Sequence, residues 1–412
     1  MDFKNIFHWD GYSDQPHVIR DKKTRKAIKS TLYFASFKLF IINLFMAPVS
    51  LILFAILLLK KSSKKIDENF FAMSINLNKN PEITKPLIEE LGVTTLLIRL
   101  PLSDMNNFNK YRAFIKEYKG YDILVNILQD REHVEDHELL EKNLHVIFKE
   151  LLPFTCKFQI GNAINRKKWA FFSMDEYLKF YEVAQTLKQK HYPKLTLVGS
   201  AVIDFEYHYT LQTLFNFHKV HYDIFSSLLY VDRRGAPENT QMGLDLVKKI
   251  KLLYAMMLLS PKTANSLVIT EANWPRSNTA PYAPTSELEC VNDEDYSSFM
   301  VRYHLLAIST GMVKTIYWHQ LIAPGYGLID NRNGITKYRS FEAYKVMVTL
   351  LKDATFLEYN FNNDTHHMKL QSTQCIEIFW SDTVTVTPSK SSTTLSLYGE
   401  TCSEGSFIYQ IS

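Results

Sequence analysis

The sequence predicts a (β/α)8 TIM barrel with an N-terminal transmembrane helix and a small C-terminal β appendage. Eight short, nearly continuous hydrophobic runs alternate with amphipathic stretches over about 285 residues, the usual length of such a barrel. An uncharged stretch of 21 residues precedes these runs, and short strand-like segments follow them. A doubly wound sheet is the alternative. We prefer the barrel because the strand count is eight and no glycine-rich phosphate loop follows the first strand.

The first element is the predicted transmembrane helix, residues 39–59. Twenty-one residues at 1.5 Å each span a hydrocarbon core of about 30 Å. Asn43 and Pro48 are interruptions that spanning helices tolerate. The stretch is too long for a signal-peptide apolar region, and no small-residue cleavage site follows it. We therefore expect a retained anchor in membrane lipid, with a buried core helix as the alternative.

Basic residues on the two sides of this helix predict its orientation. Seven precede it, namely Arg20, Lys22, Lys23, Arg25, Lys26, Lys29 and Lys38, and four follow it, namely Lys60, Lys61, Lys64 and Lys65. The more basic side usually stays in the cytoplasm. We expect a single-pass protein with residues 1–38 in the cytoplasm and the body exported, periplasmic or extracellular. Residues 60–68 would be a short polar stalk.

Residues 69–353 form the predicted barrel. Its strands are Phe70–Leu77, Thr94–Leu102, Asp122–Leu128, Thr155–Ile160, Thr196–Ile203, Tyr222–Val231, Ser266–Thr270 and Val313–Trp318. The clearest helices are Met105–Tyr118, Val134–Leu152, Met174–His191, Leu244–Leu259, Tyr296–Thr310 and Ser340–Lys352. The strands are hydrophobic almost throughout, as parallel strands covered on both faces should be. Ser173 and Glu176 form a capping-box pattern at the start of one helix.

Residues 354–412 form the predicted appendage. The segments CIEIFW, TVTVTP and TTLSLYG are typical of short strands between polar turns. Cys375 and Cys402 both fall here, so a disulfide is possible if this part is exported, although no spacing rule requires one.

The composition excludes several classes of protein. The chain is 46% hydrophobic and 13% aromatic, which is too apolar for a disordered protein. Its 47 basic and 43 acidic residues give no chain-wide basic field, so we expect no nucleic-acid partner. Four cysteines without a CxxC pair, and the absence of HExxH, predict neither a metal site nor a cofactor. The oligomeric state is not predicted.

Polar and aromatic residues gather at the carboxyl ends of the predicted strands, where TIM barrels carry their chemistry. They are Arg99 after strand two, Asn162 after strand four, Asp204 and Glu206 after strand five, Tyr230 and Asp232 after strand six, Glu271 and Trp274 on strand seven, and Trp318 and His319 on strand eight. Carboxylates and amides bind hydroxyls, and aromatic faces stack on sugar rings. The set predicts sugar binding, although Asp204 or Glu206 alone would more often be a loop ion-pair partner.

These strand ends resemble those of the clan A glycoside hydrolases, retaining (β/α)8 enzymes with an acid/base on strand four and a nucleophile on strand seven. The matching segments are Gly161-Asn162, ITEANWP from Ile269 to Pro275, and Tyr317-Trp318. Their order along the chain matches that of the clan, and the resemblance covers about residues 69–353.

The resemblance implies a role for each matching residue. Glu271 would be the nucleophile, held ionised by Arg99 and Tyr230. Asn162 would bind the sugar 2-hydroxyl, and Trp318 would form the floor of the sugar site. Trp274 and His319 would also contact substrate. The two carboxyl groups of a retaining enzyme lie about 5–5.5 Å apart.

The chain departs from the clan at the acid/base position, where Asn162 is followed by Ala163 instead of glutamate. A methyl group cannot donate a proton, and general acid catalysis contributes about 10²–10⁴ in rate. Three explanations are open: the protein binds glycans without cleaving them, another carboxyl group (Asp204, Glu206 or Asp232) replaces the acid, or the leaving group needs no proton. Misalignment of strand four is the remaining explanation.

Three functions follow from this pattern. The first is a membrane-anchored glycoside hydrolase-like enzyme acting on an envelope or extracellular polysaccharide or on a glycolipid glycan. The second is a non-catalytic glycan-binding pseudoenzyme. The third is a scaffold in an envelope glycan-assembly complex. Labelling of Glu271 by a 2-fluoro sugar would separate the first from the second.

Overall fold

The computed structural model describes residues 7–18, 33–60, 63–232, 235–387 and 392–412. Before the barrel lie four elements. A hairpin consists of β1 (Phe7–Asp10) and β2 (Gln15–Val18), and it is followed by the long helix α1 (Tyr33–Leu59) and the two-residue strand β3 (Lys64–Lys65).

The predicted eight-stranded parallel barrel is confirmed. Its strands are β4 (Phe71–Ile75), β5 (Thr95–Pro101), β6 (Asp122–Leu128), β7 (Lys157–Ile160), β8 (Thr196–Ile203), β9 (Ile224–Leu228), β10 (Leu267–Ala272) and β11 (Val313–Trp318). Neighbours in the chain are neighbours in the sheet, and β11 pairs with β4 to close it. The strands are buried almost throughout because helices cover them outside and side chains fill the interior.

Helices surround this barrel. They are α2 (Pro81–Leu91), α3 (Phe108–Glu117), α4 (Arg131–Glu135), α5 (His137–Leu151), α6 (Met174–His191), α7 (Tyr207–Leu214), α8 (Leu246–Leu258), α9 (Asp293–Thr310) and α10 (Arg339–Leu351). The Ser173 side chain accepts from the Glu176 N–H at 3.3 Å and so caps α6 where the sequence predicted. The single helix expected over 134–152 is divided, because Asp136 caps a new helix there.

Helix α1 lies against the side of the barrel, on α7 and α8. The Asn43 side-chain amide donates to the His208 carbonyl at 3.1 Å, and Phe54 and Leu57 are buried. Most of the helix nevertheless remains outside the protein core, since only 17% of its most apolar window is buried. Its length and composition are sufficient to cross a membrane.

The hairpin β1–β2 packs on the mouth of the barrel, although the sequence assigned residues 1–38 to the opposite side of a membrane. Trp9 lies edge-on to Trp169, with ring centroids 6.1 Å apart, and Tyr12 lies edge-on to Tyr282 at 5.3 Å. The basic residues from 20 to 29, on which the predicted orientation depends, lie outside the described residues. The orientation stays a prediction, and the hairpin contact argues against it because hairpin and barrel lie on the same side.

The C-terminal strands form an antiparallel sheet of six strands in the order β17-β18-β16-β15-β14-β3. A small hairpin after the barrel, β12 (Ile329–Asp330) with β13 (Thr336–Lys337), precedes them. The C-terminal strands themselves are β14 (Thr355–Asn362), β15 (Thr365–Gln371), β16 (Cys375–Trp380), β17 (Thr393–Ser396) and β18 (Phe407–Ile411). The segment TVTVTP, expected as a strand, makes only an isolated bridge from Val386 to Gly405 in its described part.

Residues expected to form a free stalk are instead part of this sheet. The Ile66 N–H donates to the Ala354 carbonyl at 2.8 Å, and the Ile66 side chain is buried. The sheet is also joined to the barrel by Arg302 of α9, which bonds both Glu238 and Asp382. Cys375 and Cys402 carry free thiols.

Candidate active site

Glu271 lies at the carboxyl end of β10, with both carboxylate oxygens held by neighbouring strands. Arg99 of β5 donates from Nη2 to Oε2 at 2.6 Å, and the Tyr230 hydroxyl, just beyond β9, donates to Oε1 at 2.7 Å. Glu271 is 8% exposed and Arg99 is 4% exposed. The three residues come together because parallel strands present their carboxyl ends at one face of the barrel.

The surroundings of Glu271 favour its ionised form. Burial alone would raise the pKa of this carboxyl group, but the positive charge of Arg99 and the hydrogen bonds donated by Tyr230 and Arg99 hold it below its ordinary value. Burial, with the nearby charge of Arg99, lowers the pKa of His319 to about 4. His319 is therefore neutral at pH 7, and Arg99 supplies the positive charge beside the carboxylate.

A small cavity of about 120 Å³ opens at this carboxylate. We call it the Glu271 cavity; its lining includes Glu271, Arg99, Tyr230, His319, Trp169 and Asp14. Most ligand pockets measure about 300–1,000 Å³, so this cavity limits a ligand at Glu271 to a small group.

The hairpin supplies one wall of the Glu271 cavity, through Asp14. Its carboxylate accepts from the Asn76 amide at 3.0 Å and from the Gln320 amide at 3.4 Å. Its backbone carbonyl accepts from Arg99 at 3.5 Å. Sequence reasoning missed Asp14, because nothing in residues 7–18 signals contact with strand ends more than sixty residues away.

The aromatic side chains beside the site are not the predicted ones. Trp274 and Trp318 are each at most 1% exposed and stack on each other at 6.1 Å. The Trp318 indole donates to the Tyr296 hydroxyl at 2.9 Å, and neither tryptophan lines the Glu271 cavity. Both belong to the packing behind the site, and Trp318 is not its floor. Trp169 and Tyr326 line the cavity instead, with Tyr326 stacked on His319 at 5.4 Å.

The end of the fourth barrel strand, β7, lies outside the cavity lining. The Asn162 side-chain oxygen accepts from Asn126 at 3.1 Å, and its buried Nδ2 has no hydrogen-bond partner among the described residues. Ala163 is fully buried, with a left-handed φ of 45°, in an apolar cluster that includes Leu128 and Leu228. Ala163 itself does not line the Glu271 cavity, although Trp169, a member of the same cluster, does.

The three candidate replacement acids lie beside a second cavity. This helix cavity measures about 710 Å³ and is lined by Ala47 and Leu51 of α1, by Leu252 and Met256 of α8, and by polar residues that include Arg166, Asp204, Glu206 and Asp232. Arg166 bonds Asp204 and also Glu206, the latter at 2.7 Å. None of these three carboxylates is in the lining of the Glu271 cavity, where Asp14 is the other acidic residue among the described ones.

The site offers no cluster suited to a metal. Within the described ranges, no group of three or more His, Cys, Asp or Glu side chains is placed to hold an ion. The chemistry available is that of one ionised carboxylate, a guanidinium, a phenol and a neutral imidazole around a small cavity.

No family model and no curated protein matches this sequence. Solved structures do match its fold. A family 39 glycoside hydrolase from Bacteroides cellulosilyticus WH2 has a TM-score of 0.62 at 15% identity, covering 84% of this chain and 81% of that one. A GH30 endoxylanase from Clostridium papyrosolvens C71 has a TM-score of 0.59 at 11% identity, with 85% and 97% covered.

A GH51 arabinofuranosidase from Xanthomonas axonopodis pv. citri has a TM-score of 0.53 at 11% identity, covering 85% of this chain and 95% of that one. The fold of this chain is the closed parallel barrel of the clan A glycoside hydrolases, as its strand ends predicted. The chain is glycoside hydrolase-like in architecture. Its divergence at residue 163 stays a prediction.

Proposed function

We propose that this protein is a membrane-associated glycoside hydrolase-like enzyme, with Glu271 as its nucleophile, acting on an envelope or extracellular polysaccharide or on a glycolipid glycan. The observation that carries the proposal is the ionised, buried Glu271 carboxylate at the end of β10, with a donor on each oxygen and a small cavity in front of it. Burying an ionised carboxylate costs free energy, so a protein that keeps one beside a cavity usually uses it for binding or catalysis.

In the proposed reaction, a Glu271 oxygen attacks the anomeric carbon and the bond to the leaving group breaks, giving a glycosyl ester. Water or another hydroxyl then attacks that carbon and releases the carboxylate. Arg99 holds the carboxylate as an anion, and Tyr230 orients its Oε1. His319, being neutral, can accept or donate a hydrogen bond to a sugar hydroxyl. Asn162, which the sequence assigns to the sugar 2-hydroxyl, does not line the Glu271 cavity, so the proposed reaction gives it no contact with the substrate.

The first step lacks an obvious proton donor at residue 163. We propose that the protein acts on a substrate whose leaving group departs without protonation, or that Asp14 donates the proton. Asp14 replaces Asp204, Glu206 and Asp232 as the candidate because it lines the Glu271 cavity and they do not. A glycan-binding protein without turnover is the second candidate function, supported by the buried apolar setting of Ala163.

Association with lipid through residues 39–59 is part of the proposal. The outward face of α1 exposes large apolar side chains, among them Phe40, Phe45, Ile52 and Ile56, each at least 60% exposed. Such a surface on a soluble body is unusual and is stable in lipid. Partition of the full chain into liposomes, and its loss when these four residues become serine, would test this part.

The test of the nucleophile is covalent trapping. 2-Deoxy-2-fluoro glycosyl fluorides of several common sugars carry a leaving group that needs no protonation, so a missing acid does not prevent the first step. We expect mass spectrometry to find one sugar on the peptide that contains Glu271. Glu271→Gln should reduce labelling at least about a thousandfold and leave the circular dichroism spectrum unchanged. Labelling elsewhere, or equal labelling of both proteins, would refute the assignment.

A further inference from the structure

The Glu271 cavity and the helix cavity adjoin. Tyr230 and Arg166 line both of them. The Tyr230 hydroxyl bonds the Glu271 carboxylate, so a molecule in the helix cavity lies one side chain away from the reacting group. The Glu271 cavity, of about 120 Å³, is thus next to the much larger helix cavity, of about 710 Å³.

The hairpin forms a wall of the Glu271 cavity. Asp14 of the hairpin sits between Asn76 and Gln320, which follow the first and eighth barrel strands, and it is 7% exposed. Gln15 continues this wall by donating to the Pro284 carbonyl at 3.2 Å. A sugar chain cannot extend through this wall, whereas Tyr230 and Arg166 connect the Glu271 cavity with the helix cavity. We therefore place a terminal sugar at Glu271, with its leaving group towards these two residues.

The polarity of the helix cavity changes from one side to the other. Next to the Glu271 cavity it is polar, with Arg166 bonded to Asp204 and Glu206. Away from that cavity its walls are aliphatic, formed by Ala47 and Leu51 of α1 and by apolar residues of α8. Such a gradient fits a ligand with a polar end at the carboxylate and a hydrocarbon end against the helix.

The position of α1 connects this gradient with lipid. The same helix that lines the cavity with Leu51 exposes Phe45 and Ile52 on its outward face. If that face lies in the hydrocarbon layer, the aliphatic end of the cavity lies at the depth of the acyl chains. A lipid whose head carries a sugar can then place the sugar at Glu271 without leaving the membrane.

We propose that the substrate is a lipid-linked sugar, with one terminal sugar in the Glu271 cavity and the apolar chain in the helix cavity. This inference rests on the function proposed above and narrows its substrate class. Two kinds of lipid-linked sugar meet this description: a sugar joined directly to an alkyl chain, and a sugar joined to the chain through a phosphate. Both carry a long hydrocarbon on the anomeric side of the sugar. The phosphate-linked form fits the missing acid, since phosphate leaves as an anion.

The experiment measures protection of Glu271 from the fluorosugar label described above, using the full-length protein. The first two competitors are the methyl and dodecyl glycosides of the sugar that labels best. The third is the same sugar joined to a dodecyl chain through a phosphate at its anomeric carbon. Each is used below its critical micelle concentration. We expect the dodecyl compounds to protect at concentrations at least tenfold lower than the methyl glycoside. We also expect only the phosphate-linked compound to be turned over.

Variants then locate the chain-binding site. Ala47→Trp fills the helix cavity and Leu51→Lys places a charge in it, so in either variant the dodecyl compounds should protect no better than the methyl glycoside. Ile52→Lys, on the outward face of the same turn, is the matched control and should keep that advantage. Equal protection by methyl and dodecyl glycosides, or loss of the advantage in Ile52→Lys alone, would overturn the proposal.

A third readout separates this proposal from the nucleophile assignment. A photoreactive dodecyl glycoside that carries a diazirine near the end of its chain needs no turnover to report its position. We expect cross-links to the α8 residues Leu252 and Met256. Such cross-links without any labelling of Glu271 would support the proposed lipid site and refute the assignment of Glu271 as nucleophile. Labelling of Glu271 with cross-links only on the outward face of α1 would support that assignment and refute the proposed lipid site.

Discussion

Tyr230 contributes to the site through a single hydrogen bond. Its hydroxyl donates to Glu271 at 2.7 Å and helps lower the pKa of that carboxyl group against the opposite effect of burial. A hydrogen bond to a charged group is worth about 1.5–3 kcal/mol, which corresponds to about one to two pKa units. Removing the hydroxyl alone therefore tests the electrostatic account without removing the carboxylate.

We predict that Tyr230→Phe moves the acid limb of the pH profile of Glu271 labelling to higher pH. The direction follows from the sign of the effect. Glu271 reacts as the anion, which exists above its pKa, and loss of the donor raises that pKa. The measurement is the rate of fluorosugar labelling as a function of pH. Tyr326→Phe, whose hydroxyl accepts from Gln320 at 3.2 Å, is the control and should leave the limb in place.

The sequence could place the residues around the carboxylate near one another. Arg99, Tyr230, Glu271 and His319 lie at or just after strand ends, so strand assignment alone brings them to one cavity, while their roles stay predictions. Trp274 and Trp318 were misassigned because a residue at a strand end can also turn into the packing between strand and helix. Trp169 lies nine residues beyond its strand, and strand positions give no information about a loop of that length.

Ala163 illustrates the limit of aligning short motifs. The sequence places it where a carboxylate would act, but its φ of 45° turns its Cβ into a closed apolar cluster. Local backbone geometry of this kind is set by the loop that follows β7, and Gly161-Asn162 alone does not predict it. The composition of the strand end was therefore easier to predict than the direction of its side chains.

At the scale of elements, the hairpin β1–β2 was unpredictable because its stability depends on distant partners. A two-stranded hairpin of four residues per strand is marginal in water. Here Asp14, Trp9 and Gln15 fix it to the barrel mouth. The strands of the barrel, by contrast, were predictable because each lies in a nearly continuous apolar run that recurs between amphipathic stretches.

We predict that Asp14→Ala loosens the hairpin. The Asn76 amide, which now donates to Asp14, and the Gln320 amide would lose their shared acceptor, so amides in residues 7–18 should exchange with solvent at least about tenfold faster. Hydrogen-exchange mass spectrometry of the full chain measures this. Asp14→Asn keeps an acceptor oxygen and should exchange at a rate near that of the unmodified protein. Unchanged exchange in Asp14→Ala would mean that the aromatic contacts hold the hairpin without it.

At the scale of the whole molecule, an ion-pair network centred on the buried Arg302 links the barrel to the C-terminal sheet. Arg302 is 3% exposed and donates to Glu238 at 2.9 and 2.7 Å and to Asp382 at 2.7 and 3.0 Å. The Trp380 indole of the sheet also donates to Glu238 at 2.8 Å. The sequence predicted the appendage. It could not predict these contacts, because Glu238 and Asp382 are 64 and 80 positions away from Arg302 in the chain.

We predict that Arg302→Met lowers the free energy of unfolding by about 3–5 kcal/mol, because Glu238 is left partly buried without its cation. Thermal or urea unfolding measures the change. Arg332→Met removes a more exposed pair with Asp330 and should cost at most about 1 kcal/mol. If the two variants are equally stable, the sheet and barrel are held together by apolar contacts instead.

The bond between Gln320 and Asp14 joins positions 306 apart, and this has a consequence for how the chain is made. At about 5–20 residues per second, a ribosome needs about 15–60 seconds to synthesise the segment between them. Helix α1 emerges long before α7 and α8, its docking partners on the barrel, so its apolar surface is uncovered for much of synthesis. The nascent amino terminus must stay throughout in the compartment where the rest of the polypeptide later folds, or the mouth of the finished barrel would lack its wall.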